Sequence, residues 1–241
     1  MKPQRLVQDQ LRKLGLGMVR LGHQYSLEQD LLRVIDDCDL TTVVDIGAHH
    51  GGFGLRLRAS GYTGPIVSFE PSSASFEQLA RLAGPQWRVV QSAIGTSNGT
   101  CELNLFEGDG QLNSVRPASE FGVEVWEMTP AGTETLPMAR LDTALDGLGL
   151  DPARTLVKID TQGLDFEIVR WAPDLFDNVG GLLLELAMFG LYEGAPTPGE
   201  VIDTVRGHGL NVVGFFPVHP HPRPLVPVEF DALFARSQRV G

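Results

Sequence analysis

The chain of 241 residues carries a formal net charge of −11, with 42% hydrophobic and 20% charged residues, the balance of a globular domain long enough to bury a core. That acidity excludes a broad nucleic-acid surface, which needs a basic stripe to neutralise phosphates. Cys38 and Cys101 are the two cysteines and lack metal-ligand spacing, so neither a disulfide framework nor structural zinc is expected, and reduced thiols fit a cytoplasmic setting.

From Met1 to Gly22, Lys2, Arg5, Arg12, Lys13 and Arg20 face a single acid, Asp9, with Leu6, Leu11, Leu14 and Leu21 interleaved at roughly helical spacing. The segment suits a cap on the domain, a homodimer contact or a peripheral membrane surface. It lacks the h-region of a signal peptide, and no apolar run in the chain approaches the ~18 residues of a transmembrane helix. Leu27–Ile35 reads as a helix capped by Ser26, so residues 1–39 are expected to form an N-terminal helical cap and residues 40–241 the main domain. There follow strand Thr41–Ile46, helix Gly52–Ser60 stopped at Gly61, strand Pro65–Phe69, helix Ser72–Leu82 and strand Trp87–Gln91. The alternation predicts parallel strands with right-handed crossovers. Gly99–Phe106 alternates like an extra strand, whereas Gly108–Pro137 is loop-rich and predicts a lid or hairpin inserted over residues 107–138. Strand Thr155–Ile159, helix Asp165–Trp171, strand Gly180–Leu186 and helix Thr197–His208 resume the alternation. Leu210–Phe216 and Glu229–Ala235 read as a closing antiparallel pair, and the prolines of VHPHPRPLVP between them argue against regular structure there.

The chemistry is concentrated in VVDIGAHHGG, Val43–Gly52, and IVSFEP, Ile66–Pro71. Each is an apolar strand ending on an acid, Asp45 and Glu70, at the strand ends where open α/β sheets bind ligands. Two acids there suit a hydroxyl-bearing adenosine group. The glycine order is acid, one residue, Gly47, three residues, Gly51, and not the G-x-G-x-x-G that cradles a pyrophosphate. An acid ahead of the first glycine repels phosphate but suits the sulfonium and ammonium of S-adenosylmethionine (SAM). A NAD-dependent oxidoreductase on a similar fold is disfavoured for the same reason.

These stretches, with FEPSSASFEQL, SAIG at Ser92–Gly95, LNS at Leu112–Ser114, RLDTAL at Arg140–Leu145, LVKIDTQGLDFEIV at Leu156–Val169, and LLLE followed by LYEG, resemble the FkbM family of SAM-dependent methyltransferases. The resemblance runs from about Leu40 to the C-terminus. It implies a class I methyltransferase Rossmann-like α/β fold: a seven-stranded, mostly parallel sheet with helices on both faces and an antiparallel C-terminal strand. It also implies O-methyl transfer to a small-molecule hydroxyl, on a sugar, glycoside or polyketide-type natural product. Carried over by residue, Asp45, Gly47, His49 and Gly51 would form the loop beneath the methionine moiety, and Glu70 would take the ribose hydroxyls. Ser92 and Ala93 would flank the adenine, and Asp160 would face the methionine end and the acceptor. Two positions depart from the family: His49 stands where it usually has Asn, and Gln162 where it usually has Glu. The amide removes one candidate base or metal ligand and keeps open an alternative, a catalytically silent SAM-binding partner module.

Methyl transfer asks an enzyme to align the acceptor oxygen, exclude water and take a proton. Lys158 and Asp160, two residues apart on a strand, share one face at its functional end, and Glu185 ends the next strand. These three are the catalytic candidates, with a structural ion pair the plainer role for Lys158 and a sheet-closing salt bridge for Glu185. Two acids without a third are thin for a divalent cation such as Mg²⁺, so no metal is expected. His50 in the cofactor loop is a candidate base, and His219 and His221 are acceptor-side or surface groups.

Overall fold

The computed structural model describes residues 26–190, 192–220 and 227–236. The basic amphipathic segment Met1–Gly22 and His221 lie outside the described residues. Ser26 caps helix α1 (Leu27–Asp37) through a hydrogen bond from the Gln29 N–H to its hydroxyl. The alternation then yields β1 (Thr42–Ile46), α2 (Gly52–Ala59), β2 (Ile66–Phe69), α3 (Ser73–Leu82) and β3 (Trp87–Val90). After an insertion come β7 (Thr155–Ile159), α6 (Asp165–Trp171), α7 (Pro173–Phe176), β8 (Gly181–Ala187) and α8 (Pro198–Gly207). The chain closes with β9 (Asn211–Pro220) and β10 (Pro227–Ala235).

The seven strands are ordered β3-β2-β1-β7-β8-β10-β9. All neighbouring pairs from β3 to β8 are parallel, and β10 runs antiparallel to both β8 and β9. This is the class I methyltransferase sheet, with its strand order reversing between β1 and β7. Alternation along each strand separates two cores. Val43, Ile66, Leu156, Leu183 and Leu233 face α1, α2 and α3, whereas Val44, Val67, Val157, Leu184 and Phe234 face α6 and α8. Each such side chain removed from water contributes about 1.5–3 kcal/mol.

The insertion, expected as a lid or hairpin, is more regular than its loop-rich composition suggests. Residues 130–140 are not loop but β6 (Pro130–Arg140), which pairs antiparallel with β5 (Gly99–Phe106) and parallel with the short β4 (Ala93–Gly95) in a separate three-stranded sheet. Along β6 only Leu136 is buried, so hydrophobic alternation could not announce it. Pro137 sits just before the stretch that β4 joins, where its missing N–H costs no ladder bond. Between β5 and β6, Ser119 caps α4 (Glu120–Trp126). After β6 come α5 (Leu141–Leu145) and a 3₁₀ turn. The proline-rich run is also more regular than its composition predicts: β9 continues through Val218 and His219 to Pro220, and β10 begins at Pro227. Edge position and register shifts near Pro227 and Glu229 accommodate the prolines.

Candidate active site

A cavity of about 620 Å³ opens at the C-terminal ends of β1, β2, β7 and β8. The loop after β1 forms one wall. Gly47 has φ 71°, and a Cβ there would lie 1.7 Å from the Asp160 carbonyl oxygen, so only glycine lets the β1 and β7 ends approach. Gly51, φ 82°, precedes α2 and packs against Leu79 and Trp87, so it shapes the turn without lining the cavity.

His49 also adopts a left-handed backbone, φ 49°. Asn and His are among the side chains that tolerate this region best, which gives the usual Asn and the present His a common physical reason. Its backbone N–H donates to Glu70 Oε2 at 2.7 Å, and its Nε2 lies 2.8 Å from the Asp109 carbonyl in the insertion. His50 stacks on it at 3.7 Å between ring centroids. Burial, then His49, lowers the His50 pKa.

Glu70, at the end of β2, is 6% exposed and faces the cavity. Its second oxygen accepts the Ser72 N–H at 2.9 Å. Burial raises its pKa to about 7, against the lowering effect of the two backbone donors and Lys158. Ser92 and Ala93, just past β3, line the same end, and the Ser92 hydroxyl donates to the Ala93 carbonyl.

A polar row crosses the sheet beneath this wall. Ser68, Asp45 and Lys158 are register partners on β2, β1 and β7. Asp45 is fully buried; it accepts the Ser68 hydroxyl at 3.2 Å and faces Lys158 Nζ at 3.1 Å. The Trp87 indole N–H donates to Ser68 Oγ. Asp45 is therefore behind the cavity wall. Lys158 is 6% exposed; besides its ion pair with Asp45 it lies 3.2 Å from Asp160 Oδ2 and donates to the Gly47 carbonyl at 3.1 Å, while Asp45 Oδ1 has no hydrogen-bond partner among the described residues. Burial lowers the pKa of this ammonium, but Asp160 and Asp45 outweigh it and hold the group above the ordinary lysine value. Lys158 fixes Asp160 and the β1 loop together, and as a charged amine it is no proton acceptor.

The opposite wall is acidic. Asp160 ends β7, with its side chain 32% exposed to the cavity. Glu185 on β8 and Asp231 on β10 are register partners and also line the cavity. Burial, then the Asp160 charge, raises Glu185 well above its ordinary value and Asp231 to about 6. The same two causes take Glu229, 5% exposed, to about 7. Between Asp160 and Glu185 stands Gln162, whose Nε2 donates to Asp160 Oδ1 at 2.9 Å and to Glu185 Oε2 at 3.1 Å. Its Oε1 accepts the Tyr192 hydroxyl at 2.9 Å, and its backbone carbonyl accepts Ser114 Oγ at 2.5 Å. Asp165 holds the loop from below, accepting the Thr161 and Gly163 N–H groups. Ser114 and Tyr192 fall in LNS and LYEG, stretches to which sequence reading assigned no role. Asp231, on the closing strand β10, lines the cavity without having been singled out in the sequence. Among the described residues, no group of three or more His, Cys, Asp or Glu side chains is placed to hold a metal ion, and no helix is long and apolar enough to cross a membrane.

The family described as Methyltransferase FkbM domain matches residues 45–211, and the chain belongs to that family of methyltransferases. No curated protein matches it. Solved structures resemble it at low identity. Magnesium protoporphyrin IX methyltransferase from Synechocystis, with bound SAM, is 11% identical, covering 98% of both chains with a TM-score of 0.47. Methyltransferase FkbM from Methylobacillus flagellatus is 14% identical over 81% of this chain and 44% of that one, with a TM-score of 0.46. A putative S-adenosylmethionine dependent methyltransferase from Listeria monocytogenes is 10% identical over 87% and 96%, with a TM-score of 0.47.

Proposed function

We propose that this FkbM-family protein is a SAM-dependent O-methyltransferase of the cytosol, acting on a hydroxyl of a small molecule, a sugar, glycoside or polyketide-type natural product. The observation that carries the reading is one cavity with Glu70 at its β2 end and Asp160 at its β7 end. The residues present fit SAM. Glu70 keeps lone pairs for two ribose hydroxyls while its backbone donors fix its position. Ser92 and Ala93 border the adenine end, Gly47 and His49 form the floor under the methionine, and Asp160 suits its ammonium. When bound, SAM supplies a methyl carbon already activated by a sulfonium leaving group. Asp160, fixed by Lys158, would orient the acceptor hydroxyl and accept its proton during the transfer. Glu185 is the second candidate for that proton. The insertion, tied to the cofactor loop through His49 and Asp109, shields the site from water. Calorimetry with SAM and with NAD tests the reading: SAM should bind, and binding of NAD alone would overturn it. An acceptor screen with methyl-labelled SAM then tests the hydroxyl class.

A further inference from the structure

We propose that Gln162 is a positioning residue for Asp160 and Glu185, its amide supplying hydrogen-bond donors to both carboxyl groups at the place a cation would otherwise fill between them. The inference rests on the reading of Asp160 as the acceptor-side group and deepens it. The two acids end adjacent parallel strands on the same face, and Asp231 extends the row to β10. Like charges in neighbouring register repel. Such a row persists only if something supplies positive charge, protons or hydrogen-bond donors. Lys158 pairs with one oxygen of Asp160 and is shared with Asp45 and the Gly47 carbonyl. The other oxygen of Asp160 and one oxygen of Glu185 are both served by the single NH₂ of Gln162.

The orientation of that amide is set from three sides. Turning it over would aim its carbonyl at two carboxylates and its NH₂ at the Tyr192 hydroxyl, which now donates to Oε1. The backbone of Gln162 is left-handed, φ 56°, and Ser114 and Asp165 anchor the loop on either side. Gly163 follows with φ 113°, and a Cβ there would come within 3.0 Å of the Tyr192 ring, so the loop and Tyr192 fit one another. Asp160 is thereby fixed at both oxygens by neutral and cationic donors without a metal ion. A carboxylate at position 162 would reverse this, gathering three oxygen ligands of the kind divalent cations take.

Wild type, Gln162→Glu, Gln162→Leu and Tyr192→Phe proteins are titrated with Mn²⁺ and separately with SAM by calorimetry, from about pH 6 to about pH 8, where the perturbed acids titrate. Gln162→Glu is expected to bind Mn²⁺ at least about tenfold more tightly than wild type. In Gln162→Leu, loss of the two amide donors should make the Asp160–Glu185 pair hold a proton to higher pH than in wild type, so that SAM affinity depends on pH more steeply than the wild type's and its heat varies more with buffer ionisation. Tyr192→Phe should shift the profile in the same direction by less, and it tests the idea even if Gln162→Leu fails to fold. The proposal is overturned if Gln162→Glu gains no Mn²⁺ binding over wild type, or if both other variants give SAM profiles superimposable on the wild type's. Should wild type bind no SAM, the methyltransferase reading fails, while the Mn²⁺ comparison still decides the role of Gln162.

Discussion

On the cofactor side of the cavity, Glu70 is held by backbone N–H groups of His49 and Ser72, both near strand ends in the same βαβ unit. On the acceptor side, Asp160 and Glu185 come from two strands and are held by side chains: Lys158, Gln162 and, behind the amide, Tyr192. Backbone donors fix a carboxylate wherever the loop folds and survive sequence change. Side-chain donors can be exchanged singly, so the acceptor side is where relatives on one fold can diverge in substrate and chemistry.

The contrast also explains what was readable in the sequence. Gly47 and Glu70, both lining the cavity, were legible because they fall within one strand–turn–helix–strand unit, whose turn and strand end are local in sequence. The order of elements made the parallel sheet and the closing β9–β10 pair legible too. Gln162 read as the loss of an acid, because its partners Glu185 and Tyr192 lie 23 and 30 residues away and only the fold assembles them. The strand β6 went unread because it is mostly exposed, so burial left little pattern in it. Asp45 illustrates the reverse. Its strand-end position suggested ligand contact, whereas its full burial against Lys158 makes it part of the frame.

The largest effect should come where the two sides touch. Gly47→Ala places a Cβ against the Asp160 backbone at a left-handed φ and should cost about 3 kcal/mol or more, read by denaturant unfolding. A near-neutral result would mean that the β1 and β7 ends do not approach so closely. Asp45→Ala should be next, at about 3 kcal/mol, because it removes one partner of a buried ion pair and leaves Lys158 undercompensated. It should lower stability more than SAM affinity; the opposite order would return Asp45 to the binding surface.

The cofactor side alone is tested by Glu70→Ala, expected to weaken SAM binding by about 10- to 100-fold through loss of charged hydrogen-bond acceptors. The acceptor side alone is tested by Asp160→Asn, which should lower turnover, once an acceptor is found, far more than SAM affinity. A normal rate would remove Asp160 from proton transfer.

The two sides should also show their pH dependence in different measurements, stability and SAM affinity. Buried acids raised above their ordinary values, with Asp231 at about 6 and Glu229 at about 7, are favoured by folding in the protonated form. Their contribution to stability is fully present below the ordinary carboxylate range and is lost as pH rises through about 6 to about 7. Thermal unfolding of the ligand-free protein should therefore show falling stability across that window, and Asp231→Asn should flatten it. Glu70, also near 7, must be charged to accept the ribose hydroxyls well, so SAM affinity should rise over the same interval. Glu70→Gln should abolish that rise.

The smallest effect is expected at His49, where the two sides are joined only through the insertion. Asn suits the same left-handed backbone and preserves the N–H that Glu70 accepts, so His49→Asn should change SAM affinity by less than about threefold. What it removes is the ring nitrogen beside the Asp109 carbonyl. If that contact closes the insertion over the cofactor loop, hydrogen exchange in residues 107–114 should quicken in His49→Asn while the core strands keep wild-type protection. Equal protection in the two proteins would leave Ser114 and Arg116, which reach Gln162 and Glu167, as the anchors of the insertion. The cofactor and acceptor sides would then be joined through the Gln162 loop rather than through His49.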